Sequence, residues 1–131
     1  MNTILLLSNN IEHRLQMQEI CNELDINLMV ISNVIDFILE VEKNDYQTIF
    51  IDGSPDEEYL KLVQILKKIR PRIPIVFITD NVHKENLQKI YNEGVFYLYT
   101  SPINKDILIE VINSSIVFKI KEDNLINKFT I

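Results

Sequence analysis

Residues 48–55 read TIFIDGSP. A β-branched threonine, three apolar residues and a closing carboxylate make a strand of ordinary length, and Gly53 with Ser54 and Pro55 supplies the turn that ends it. The run is apolar at successive positions rather than at alternate ones. A strand of that kind is covered on both faces, as in a parallel sheet flanked by helices. Four more runs share its character: ILLL (Ile4–Leu7), NLMVI (Asn27–Ile31), IVFI (Ile75–Ile78) and VFYLY (Val95–Tyr99).

The segments between these runs have helical periodicity. Apolar residues recur at spacings of three and four at Met17, Ile20, Cys21 and Leu24, and again at Tyr59, Leu62, Val63, Leu66 and Ile69. Further helices are predicted over Val34–Lys43 and Lys84–Asn92. The last, about Lys105–Lys121, places Ile107, Leu108, Val111, Ile112, Ser115 and Ile116 on one stripe, with Asn104 as its cap and Asp106 at the positive end of its dipole. Five strand–helix units predict a doubly wound (βα)5 fold of flavodoxin-like shape, a five-stranded parallel sheet with helices on both faces. Residues 1–120 are assigned to this domain, and 121–131 to a short tail or an extension of the last helix.

Function in such a sheet gathers at the carboxyl ends of the strands. The tips read Ser8-Asn9-Asn10, Asp52-Gly53-Ser54, Thr79-Asp80-Asn81 and Thr100-Ser101-Pro102. With only Gly53 and Gly94, no tip forms a glycine-rich phosphate loop. His13 and His83 have no thiol or carboxylate pattern around them and are expected at the solvent-exposed surface, so neither a metal centre nor a catalytic triad is predicted. A formal net charge of -6 disfavours a DNA partner, and the basic run Lys61, Lys67, Lys68, Arg70 and Arg72 reads as a solvated helix face. Lone Cys21 fits a reducing interior, and no apolar stretch is long enough to insert into a membrane, so the expectation is a cytoplasmic protein.

Three tip motifs, DYQTIFID, IPIVFITD and TSPINKDIL, resemble those of CheY-like response-regulator receiver domains over residues 3–118. The resemblance puts Asp52 at the phospho-acceptor position and Thr79 at the hydroxyl that contacts the phosphoryl group. It also marks departures. Ser8 and Asn9 stand where receivers carry the acidic pair that holds a divalent cation, Ser101 replaces a lysine beside the retained Pro102, and Asp80 replaces a small residue. The turn after Asp52 is shorter than usual, and Leu98 stands at the position of the switch aromatic. Phosphoryl transfer depends on cations that neutralise the transferred oxygens, and here Asp52 is left as a weak metal ligand with no lysine to assist.

The reading is therefore an atypical receiver in two-component-type signalling, a pseudo-receiver that works by protein–protein contact, without cofactor or catalysis. Its implied partners are a histidine kinase or an output protein, or a second copy docked through the fourth helix, fifth strand and fifth helix. One alternative is a phosphorelay acceptor that uses Asp52 and Mg2+. Another is a small-molecule-binding domain of flavodoxin-like shape.

Overall fold

Strands and helices alternate five times in the computed structural model, which describes residues 2–80 and 83–129, with side chains through Ile126. The elements are β1 (Thr3–Leu7), α1 (Ile11–Glu23), β2 (Asn27–Ile31), α2 (Val34–Lys43), β3 (Thr48–Asp52), α3 (Glu57–Ile69), β4 (Ile75–Thr79), α4 (Lys84–Asn92), β5 (Tyr97–Thr100) and α5 (Lys105–Phe129). The strands form one parallel sheet in the order β2-β1-β3-β4-β5. The chain moves outward from β1 to β2, then crosses back over β1 to β3. That reversal opens a crevice between the tips of β1 and β3, where Asp52 ends its strand.

Alternate strand residues feed opposite cores, as the two-residue period requires. Leu5, Leu7, Ile49, Ile51 and Phe77 pack with Phe37 of α2 and Leu62 and Leu66 of α3. On the other face Ile4, Leu6, Phe50, Val76 and Ile78 pack with Met17 of α1 and Leu108 and Ile112 of α5. Burying a side chain such as Phe50 contributes about 1.5–3 kcal/mol, so the two layers hold the strand tips on a rigid frame.

The helices begin where polar side chains cap them. Asn10 accepts the His13 amide at 3.0 Å, Asn33 that of Asp36 at 3.0 Å, Asp56 that of Tyr59 at 3.1 Å and Asn104 that of Ile107 at 3.1 Å. Helix α4 differs: its cap position is His83, which makes no side-chain capping bond. Asn81, between the β4 tip and this helix, lies outside the described residues.

Several boundaries depart from the sequence expectation. β5 begins at Tyr97 rather than Val95, because Gly94, at φ 96°, turns the chain out of α4 and pairing starts only as the Phe96 amide reaches the Ile75 carbonyl at 2.8 Å. α5 continues past Lys121 to Phe129. Ile107, placed on its buried stripe by spacing, is 40% exposed. The edge strands are also less covered than uniformly apolar runs imply, with Met29 of β2 and Tyr97 of β5 exposed. Among the described residues no helix is long and apolar enough to cross a membrane.

Candidate functional site

Asp52 is held from two sides. Its Oδ2 accepts the Ser8 hydroxyl at 2.7 Å and a ring N–H of His13 at 2.8 Å, through Nδ1. An ionised carboxylate only accepts hydrogen bonds, so the proton in the second contact resides on Nδ1. Both partners are nearly enclosed, with side-chain exposures of 11% for His13 and 8% for Asp52.

Local sequence sets this arrangement. Ser8 leaves the tip of β1, and its Oγ accepts the Asn10 amide at 3.1 Å, which tightens the turn into α1. Asn10 then caps α1 through the His13 amide, so the first helical turn brings the imidazole over β3. The expectation that His13 is solvent-exposed is overturned. His13 lies one turn before Met17, on the buried stripe of α1 that continues through Ile20 and Cys21. A polar ring carried inward at that height meets the Asp52 carboxylate at the tip of β3. Tracing the stripe back by four residues from Met17 was the available signal.

Asp52, His13, Asn9, Asn10, Gly53, Ser54, Tyr59 and Asp80 line an open cleft of about 360 Å³. An adjoining hollow is lined by His13, Glu12, Asp80, Ser101 and Pro102, so the imidazole stands between the Asp52 tip and the Ser101 tip. Asn9 turns aside, its Nδ2 donating to the Ser32 carbonyl at 3.2 Å. Asp80 is exposed at the mouth. Thr79 is buried at the end of β4, and its carbonyl accepts the Ser101 amide at 2.8 Å. The sequence-selected positions thus converge, with Ser8 in direct contact with Asp52 and Asn9, Asp80 and Ser101 around the rim.

Two aromatics shape the walls. Tyr59 lies against Gly53, and its ring meets Phe77 edge-on at 6.0 Å. Burial raises the pKa of its hydroxyl, helped by the carboxylates of Glu58, Asp56 and Asp52. Tyr99 points inward, donates to the Pro102 carbonyl at 2.9 Å and accepts from the Asn104 amide, which fixes the loop after β5. Tyr97 instead faces outward, and Leu98 packs against the α2–α3–α4 side of the core.

A magnesium ion is held by one or two carboxylates in near-octahedral oxygen coordination. The carboxylates at this cleft are those of Asp52 and Asp80. Asp52 already gives Oδ2 to two protein donors, and the residues around it at the β1 tip, Ser8 and Asn9, are neutral. No group of three or more His, Cys, Asp or Glu suited to a metal ion occurs among the described residues.

No family model matches the sequence, and no curated protein does. Solved structures do match. A CheY-like receiver domain protein from Methanospirillum hungatei JF-1 superimposes with a TM-score of 0.83 at 20% identity, over 93% of this chain and 98% of that one. The fold is that of a response-regulator receiver domain. The receiver domain of a sensor histidine kinase from Pseudomonas aeruginosa PAO1, with magnesium coordinated in its active-site cleft, matches at TM-score 0.77 and 17% identity, over 88% of this chain and 97% of that one. An orphan response regulator of H. pylori matches at 0.78 and 16%, over 88% and 96%. The receiver fold is therefore shared across the whole sheet, at identities that leave the chemistry of the tips to be read from the residues themselves.

Proposed function

We propose that this chain is a pseudo-receiver: a signalling module that keeps the receiver fold and acts by protein–protein contact without phosphorylation of Asp52. The observation that carries the reading is the double engagement of Asp52 Oδ2 by Ser8 and His13, at a cleft where Ser8, Asn9 and Ser101 offer no charge to a cation or phosphoryl group. Losing a charge-assisted contact such as a lysine to phosphate costs about 1.5–3 kcal/mol, and Asp80 at the mouth adds a like charge. Output passes through the surface. The face of α4, β5 and α5 carries exposed Tyr91, Tyr97, Ile107 and Phe118, which suits docking of a kinase, an output protein or a second copy.

Incubation with acetyl phosphate or beryllofluoride and magnesium checks this reading. The expected result is no mass increase and no spectral change centred on the cleft. Stoichiometric labelling at Asp52 would establish the alternative, a phosphorelay acceptor, which is favoured by one feature: both protein contacts fall on Oδ2 of a carboxylate that still lines the cleft.

A further inference from the structure

We infer that His13 is the positioning residue of this cleft, an internal occupant whose imidazole fixes Asp52 through Oδ2 and stands in the space between the Asp52 and Ser101 tips. The inference rests on the pseudo-receiver reading and deepens it, because it names what stands in for the missing ligands. Four observations carry it. The Nδ1 to Oδ2 distance is 2.8 Å, a full hydrogen bond, and both side chains are about nine-tenths enclosed. Ser8 donates to the same oxygen at 2.7 Å, so Oδ2 is saturated from within the protein.

The ring is also fixed at its base. The His13 amide is tied to the Asn10 cap, and the same face of α1 continues into the core through Met17, Ile20 and Cys21. Finally, His13 lines both the Asp52 cleft and the hollow beside Ser101. A long cationic side chain reaching from the β5 tip toward Asp52 would have to pass the imidazole. The short Ser101 and the inward His13 are thus two halves of one arrangement.

Repair of the charges alone is then insufficient. The fourfold variant Ser8→Asp, Asn9→Asp, Asp80→Ala and Ser101→Lys supplies the carboxylates and the lysine, yet leaves Asp52 engaged by His13. Adding His13→Met removes the ring's donor while keeping an apolar side chain of similar reach. Manganese titration followed by water-proton relaxation is expected to show binding at least tenfold tighter in the fivefold variant than in the fourfold one, with Asp52→Asn abolishing the gain. Equal affinity of the two variants would overturn the inference.

A measurement on the unaltered protein guards against misfolding of the multiple variants. Imidazole 15N correlations of the wild type are expected to show a protonated, exchange-protected Nδ1 for His13 whose resonance moves in Asp52→Ala. A His13 ring insensitive to that substitution would also overturn it. Labelling of wild-type Asp52 by acetyl phosphate is a separate outcome that defeats the pseudo-receiver reading itself, whereas the fourfold and fivefold comparison bears on His13 alone.

Discussion

A single missing methyl group decides how the cleft is roofed. A Cβ built on Gly53 would lie 2.5 Å from the ring of Tyr59, closer than carbon atoms approach without displacement. Gly53→Ala must therefore push the ring off its edge contact with Phe77, and we expect a loss of about 1–3 kcal/mol, read as a lowered denaturant midpoint. Adding Tyr59→Leu should recover part of that loss, because the two sites are in contact and their effects are not additive. Cys21 gives a second test at this scale. Burial pushes its thiol from an ordinary value of 9.0 up to about 11. Between those values the folded state binds more protons than the unfolded one, so this contribution to stability is present below pH 9 and is lost as pH rises toward 11. Cys21→Ala should flatten the decline in unfolding free energy over that interval by about 2 kcal/mol, measured by denaturation at fixed pH. Asp52 was legible as the central residue because a carboxylate closes an apolar strand. His13 was not, because a search for metal-ligand patterns asks about neighbours in sequence, while its partner is 39 residues away.

Helices and strands were easiest to read where the core dictates them. The two stripes of α1 and α3 and the strands β1, β3 and β4 are buried much as their periodicity implies. The edges were harder, since β2 and β5 carry core-like residues such as Met29 and Tyr97 on surfaces that no neighbouring strand covers. The far part of α5 was harder still, for its apolar spacing fades after Ile116. An ionic knot accompanies it there. Lys119, with a side chain 3% exposed, reaches Asp123 at 2.6 Å and Asp45 at 3.2 Å, and Arg72 stands 3.7 Å from Asp123. The cation is buried while its partners remain wetted, which makes the network asymmetric. Lys119→Met should change stability by less than about 1 kcal/mol, because the freed carboxylates stay hydrated and the methionine fills the same channel. Asp45→Asn combined with Asp123→Asn should cost about 3 kcal/mol by stranding an ammonium group in the interior. Paired chemical denaturation curves decide between these signs.

For the molecule as a whole, the order in which strands enter the sheet sets where anything can happen. Five alternating units were enough to foresee the parallel sheet and its tips, because burial on both faces leaves few other ways to arrange such strands. The expectation of a partner surface on α4, β5 and α5 rests on resemblance alone. If the face of α4, β5 and α5 is that surface, Lys89→Glu and Glu110→Lys should each weaken self-association or partner capture, checked by analytical ultracentrifugation and by association and dissociation rates. The control belongs on α2, on the other side of the sheet edge. Glu40 is unsuitable for it, since its carboxylate accepts the Tyr46 hydroxyl and the Asn44 amide, whereas Glu42 is exposed and Glu42→Lys should leave assembly unchanged. Equal effects of all three substitutions would point to a different face.

The length of α5 has a mechanical consequence. Its 25 residues make a rod of about 37 Å, against about 17 Å for a strand of the sheet it leans on. A rod more than twice as long as its bearing surface is a lever arm. A tilt of about 5° at its amino-terminal foot, close to the Ser101 tip, swings the far end by roughly 3 Å, a distance that follows from the helical rise alone. The Lys119 knot ties the rod to Asp45, just ahead of β3 at the opposite rim of the sheet from the cleft, so a tilt at the foot is felt as strain on that contact.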